Sequence, residues 1–205
     1  MRRAVLVVAL AACTPADHRQ APERALPVAQ AQHAEHAEHA ELPAMIAAAE
    51  AGDVAAQVAL GRLLRRGSPD APRDLERARA LFLAAEATRP GSAAYELGLM
   101  SQSGQGAPAD RSAAVRWFEQ AVQAGSADAM FMLANAARAG LGTPVDLPRA
   151  VALYEQAAAL EHPEAMQALG LAHLHGELGL PVDEAESRRY MAAAGHALQH
   201  HHRHP

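Results

Sequence analysis

An all-α fold, a solenoid of stacked helical hairpins, is predicted by three features of this 205-residue sequence. Leu-Gly or Leu-Ala pairs at Leu60, Leu97, Leu133 and Leu169 recur 37, 36 and 36 residues apart. Each pair is followed by the same stop–turn–start signal. The hydrophobic half of the composition is built largely from alanine and leucine, with only 3% aromatic residues. Self-similarity at such a period marks a chain of repeated supersecondary units.

Within each copy the order of elements is constant. Seven residues after the leucine comes a glycine: Gly67, Gly104, Gly140 and Gly176. A Pro-x-Asp follows, at Pro72 and Asp74, Pro108 and Asp110, Pro144 and Asp146, Pro181 and Asp183. Next is a stretch carrying Leu81-Phe82, Trp117-Phe118, Leu153-Tyr154 or Tyr190-Met191, closed by Ala85, Ala121, Ala157 or Ala194.

Each recurring residue has a physical task. Met130, Leu133, Ala134 and Ala137 have helical apolar spacing, so the stretch before the glycine is a helix. Glycine takes the left-handed conformation that ends it. Proline cannot continue the helix and stiffens the turn. Aspartate two residues on is a good N-cap and suits the positive end of the next helix. The alanines and the Leu-Gly glycine lack bulk, so neighbouring helices can approach closely. The segment GLGTPVD, residues 140–146, is therefore punctuation between two antiparallel helices, and it recurs because the unit recurs.

These units resemble Sel1-like repeats, relatives of the tetratricopeptide repeat. Residues 97–129 and 133–165 carry the likeness, through Leu-Gly, Gly-x-Gly, Asp, Ala and the aromatic pair. Some positions depart from that pattern. Copies one and four have one extra turn residue, copy three has Ala134 for glycine, and Glu161 stands where copy two has Gly125. The tyrosine usual four residues after the leucine is replaced by Leu64, Ser101, Ala137 and His173. The expected boundaries are 42–195 for the solenoid, with repeats at about 55–91, 92–127, 128–163 and 164–195. Residues 43–54 align with the second helix of a unit and are expected to cap the N-terminal end.

The resemblance implies a concave groove lined by the first helix of each pair. Reading groove positions outward from the leucine gives Val58, Arg62, Arg65 and Arg66 in copy one, then Tyr95, Leu99, Gln102 and Ser103 in copy two. Copy three gives Asp128, Phe131, Asn135 and Arg138, and copy four Glu164, Gln167, Leu171, Leu174 and His175. Tyr95 and Phe131, with Arg62 and Arg138 beside them, have the composition of an anchor for a protein or peptide. The alternative is that both rings pack within their own hairpin. His173, in the slot of a packing tyrosine, is expected in the core or half-buried.

The chain opens with Arg2 and Arg3, an apolar run from Ala4 to Leu10, and Leu10-Ala11-Ala12-Cys13. This is the order of a secretory signal, with an apolar run too short to span a bilayer. The last four residues resemble the lipobox of bacterial lipoproteins, which implies cleavage after residue 12, acylation of Cys13 and a lipid anchor in the cell envelope. Acyl chains contribute about 0.8 kcal/mol per buried methylene. Thr14, by the same resemblance, favours the outer membrane, with the domain facing the periplasm. Residues 14–41, rich in Ala, Pro, Gln, Glu and His, have the composition of a flexible linker.

Histidine is abundant, with twelve residues. His33, His36 and His39 in the linker and His200, His201, His202 and His204 in the tail, residues 196–205, have the spacing to hold nickel, zinc or copper as an alternative function. The plainer alternative is a polar low-complexity spacer. His173 and His175, two apart on a helix, point in nearly opposite directions and cannot chelate together.

Other functions are excluded by what the sequence lacks. The single cysteine allows no disulfide or paired-thiol motif within one chain. The net charge of −5, or −7 once residues 1–12 are removed with their two arginines, gives no basic footprint for nucleic acid. No phosphate loop or zinc-protease helix is present, and Gly104-x-Gly106 has no strand before it. The expected molecule is a monomeric, cofactor-free, non-enzymatic scaffold for a protein or peptide partner.

Overall fold

Local capping chemistry sets where every helix begins and ends. The computed structural model describes residues 41–201, which form nine helices and no strand. They are α1 (residues 41–50), α2 (Val54–Arg66), α3 (Leu75–Thr88), α4 (Ala94–Ser103), α5 (Arg111–Gln123), α6 (Ala127–Ala139), α7 (Leu147–Ala159), α8 (Pro163–His175) and α9 (Glu184–His201). The pairs α2–α3, α4–α5, α6–α7 and α8–α9 pack most extensively on each other, and α3–α4, α5–α6 and α7–α8 join one pair to the next. This is the predicted α-solenoid, with Ala49 of α1 buried against the first hairpin.

One aspartate organises each hairpin turn. The backbone N–H groups of Asp74, Asp110, Asp146 and Asp183 donate to the carbonyls of Leu64, Ser101, Ala137 and His173 in the preceding helix, at 2.8–2.9 Å. The same four carboxylates accept from the N–H groups of Arg77, Ala113, Arg149 and Glu186, at 2.8–3.0 Å. So each aspartate closes one helix and caps the next, a cap being worth about 1 kcal/mol.

The junctions between hairpins are less uniform. Ser126 caps α6. Before α4 the N-cap is Ala93, which has no side chain to offer. Glu86, buried on α3, supplies the acceptor: its carboxylate takes the N–H groups of Gly91 and Ala93 and is held by Gln120 Nε2 at 2.6 Å. Before α8, His162 is the cap, its Nδ1 accepting from Ala165 N–H at 3.2 Å. Glu161 beside it has φ 61°, so it adopts the left-handed conformation that Gly125 adopts in copy two.

The core follows the repeat. Leu60, Leu97, Leu133 and Leu169 are fully buried, as are Phe82, Phe118 and Tyr154. Gly61 and Gly98 exist for these rings. A Cβ at Gly61 would lie 2.7 Å from Phe82 Cε1, and one at Gly98 2.4 Å from Phe118 Cε1. The second glycine of Gly-x-Gly serves the contact between hairpins. A Cβ on Gly106 would meet Leu75 O at 2.5 Å, and one on Gly142 would meet Arg111 O at 2.3 Å.

Two boundaries differ from the expected ones. Residue 41, assigned to the linker, is already helical. More substantially, α9 runs six residues past 195, through the start of the expected His-rich tail. Gly195 does not adopt a left-handed conformation, and Ala197, seven residues after Tyr190, is buried on the same side as Ala194. The apolar spacing thus continues and so does the helix.

These contacts separate two costs of adding a methyl group. Gly142→Ala is expected to lower stability by about 1–3 kcal/mol beyond the loss at Gly52→Ala. Gly52 shares a positive φ but faces open space, so only backbone strain of about 1–2 kcal/mol applies there. The difference in urea midpoints checks it, and equal shifts would rule out the inter-hairpin contact.

Candidate interaction face

The first helices α2, α4, α6 and α8 carry every residue expected to line a groove, and the two halves of that face differ. In the N-terminal half two of the three expected arginines are already committed. Arg62 Nε donates to Glu96 Oε1 at 2.6 Å, and Arg65 Nη2 lies 3.2 Å from Glu96 Oε2. The Glu96 side chain is only 6% exposed. A buried carboxylate is tolerated because it is paired. Arg62 and Arg65 are therefore clamps that hold α2 to α4, not free anchors.

Tyr95 likewise packs inward. Its ring centroid is 6.1 Å from that of Phe118 in the same hairpin, tilted by 44°. Burial pushes its phenol pKa above the ordinary value, with Asp128 and Glu96 adding to the effect. Leu99 and Gln102 are half-buried beside it.

In the C-terminal half the face opens. Between α6 and α8 lies a hollow of about 280 Å³ that brings together Phe131, Asn135, Arg138, Glu164, Gln167 and Leu171, all from the expected set. Four further residues were missed: Tyr154 from α7, Ala168 from α8, and Glu177 and Leu178 from the turn after α8. His175 is exposed but does not line the hollow. His173 is half-buried and stacks on Tyr190, with centroids 6.0 Å apart.

The floor of the hollow is fixed by stacked rings. Phe131 lies 5.9 Å from Tyr154 and 4.9 Å from His162, nearly parallel to the imidazole. His162 is itself immobilised. Its Nδ1 caps α8, and its Nε2 lies 3.3 Å from Asp128 Oδ1. The Tyr154 hydroxyl donates to Asn135 Oδ1 at 2.7 Å. Burial raises the Tyr154 pKa, and the nearby Arg138 charge opposes that rise.

Of the remaining polar groups, Glu164 Oε2 lies 3.4 Å from His162 Nδ1, and two others are unspent. Among the described residues Arg138 makes no ion pair and Gln167 no side-chain hydrogen bond. Leu171, on the hollow, is 43% exposed. The hollow thus combines an apolar floor with the unpaired Arg138 and Gln167 side chains.

Several sequence-derived sites lie outside the described residues. These are Cys13, His33, His36, His39, His202 and His204, together with the side chains of His200 and His201. Among the described residues no three His, Cys, Asp or Glu side chains are grouped to hold a metal ion. No described helix is long and apolar enough to cross a membrane.

Comparison with known proteins agrees with this architecture. The Sel1 repeat matches residues 54–87, 91–126, 127–162 and 163–197. No curated protein matches the chain. Among solved structures, one similar chain is c5321, described as a protective antigen of uropathogenic Escherichia coli strains with an SLR fold. It is 29% identical, has a TM-score of 0.70, and is covered over 33% of its length by 76% of this chain. A Sel1 repeat protein from Oxalobacter formigenes is also 29% identical with a TM-score of 0.70, over 75% of this chain and 62% of its own. The chain thus spans less than two thirds of either relative.

The clamp on Glu96 has a measurable consequence. The double variant Arg62→Ala/Arg65→Ala leaves a buried carboxylate uncompensated and is expected to lose about 3 kcal/mol or more, most of it recovered by adding Glu96→Gln. Urea denaturation checks both steps. No recovery in the triple variant would contradict the assigned role.

Proposed function

Because the chain belongs to the Sel1-repeat family, we propose that it is a scaffold that binds a protein or peptide through the face of α6 and α8. Repeats of this family generally mediate protein–protein contacts. One observation carries the reading here. The hollow beside Phe131 and Leu171 combines a rigid apolar floor with Arg138 and Gln167, whose side chains have no partner among the described residues. A rigid floor lowers the entropy lost on binding, and an exposed leucine gains from being covered.

The start of the sequence supports a place for this scaffold. The signal-like run and Leu-Ala-Ala-Cys13 fit acylation of Cys13, and residues 14–40 then tether the repeats to the membrane. On this reading the molecule is a monomeric, non-enzymatic adaptor in the bacterial envelope. It is held at the outer membrane and presents its partner on the periplasmic side. Binding energy comes from the hollow, and the anchor raises the local concentration of whatever is captured.

Two measurements test the two parts separately. Leu171→Ser is expected to reduce partner capture from envelope extracts about tenfold or more, with helical circular dichroism unchanged. Undiminished capture would remove the assignment of this face. Cys13→Ser is expected to shift the protein from the membrane to the soluble fraction and to eliminate the acyl mass. Membrane retention in that variant would end the anchor proposal.

A further inference from the structure

The chain contains an internal template for what the hollow takes. In the α2–α4 junction, the residues two and five positions after Leu60 are Arg62 and Arg65, and they close on the carboxylate of Glu96, one position before Leu97. In the α6–α8 junction, the same two positions after Leu133 are Asn135 and Arg138. The position corresponding to Glu96, one before Leu169, is Ala168, and Ala168 lines the hollow. Donors are in place on one helix, and the side chain that would meet them on the next has been cut back to a methyl group.

The hydrogen-bond direction strengthens this. Tyr154 donates its only hydroxyl proton to Asn135 Oδ1, so the amide that remains, Nδ2, can only donate. Among the described residues no acceptor takes its protons, and no carboxylate pairs with Arg138 one helical turn further along. Two donors, one of them a guanidinium, match a single carboxylate. Glu164 and Glu177 also line the hollow, both exposed and Glu164 beside His162, so a run of several acidic residues would be repelled. Leu171 and Phe131 adjoin as the apolar part.

We propose that the hollow receives one aspartate or glutamate side chain of the partner, in the slot that Glu96 fills between the first two repeats, with an adjacent apolar side chain of the same segment resting on Leu171 and Phe131. This inference rests on the binding face proposed above and adds to it the chemistry of the occupant.

The test uses the mature full chain and a library of N-acetylated, C-terminally amidated twelve-residue peptides. Peptides retained by the wild type, relative to Leu171→Ser, are expected to carry Asp or Glu next to Leu, Ile, Met or Phe. Arg138→Gln is expected to weaken those peptides at least tenfold. Ala168→Glu, which installs the internal carboxylate, is expected to do the same by occupying the slot, with helicity and urea midpoint maintained or raised. Retained peptides without acidic preference, or acidic peptides indifferent to both substitutions, would overturn the carboxylate assignment and leave the binding face standing. No retention of any peptide over Leu171→Ser would overturn both.

Discussion

Everything in this molecule depends on the aspartate that opens each second helix. Its N–H reaches back to a carbonyl of the preceding helix, and its carboxylate accepts from the helix it starts. The two bonds fix the antiparallel hairpin as a unit. Once hairpins are fixed, the rings of Phe82 and Phe118 can lie on Gly61 and Gly98, and Gly106 and Gly142 can touch the preceding hairpin. Repetition of one local geometry thereby places four first helices side by side, and a face for binding follows without any residue having been devoted to shaping it.

Among the side chains that differ between junctions on that face, one is the residue just before the repeat leucine. Glu96, Met132 and Ala168 occupy the same place in successive repeats. The first is charged and is clamped by two arginines, which ties α2 to α4. The second is apolar and packs with the core cluster around Leu133. The third is nearly absent, and the space left beside it is the hollow. The constant positions of the repeat carry its structure, and this position varies from one repeat to the next. A solenoid can change what it binds by altering a single residue on one helix while its capping and its core remain intact.

Much of this was legible in the sequence because the determining signals are local. Gly, Pro and Asp act within a few residues of where they stand, and the Leu-Gly spacing reports a core contact that recurs in register. The commitments of Arg62 and Arg65 were not legible in the same way, since Glu96 lies 34 residues beyond Arg62 and only the stacking brings them together. His162 escaped notice as a cap because imidazole is not among the usual capping side chains, although its place matches that of Ser126. Tyr154 is a core aromatic whose hydroxyl reaches the face through Asn135. Of the three buried aromatics in that slot it alone carries an oxygen, and that was the available signal. The end of the last helix was misplaced because Ala194 was expected to close the unit, whereas Ala197 is still buried and no left-handed turn is made at Gly195.

The central claim is that partners are captured on the first-helix face beside α6 and α8. A photo-crosslinking amino acid placed at Gln167, on the hollow, and separately at Gln156, exposed on the second helix α7, tests it most directly in living cells. A covalent adduct with a partner from position 167 and none from position 156 is the outcome this account requires. An adduct from position 156 alone would show that capture occurs on the opposite helices, and the account would be wrong.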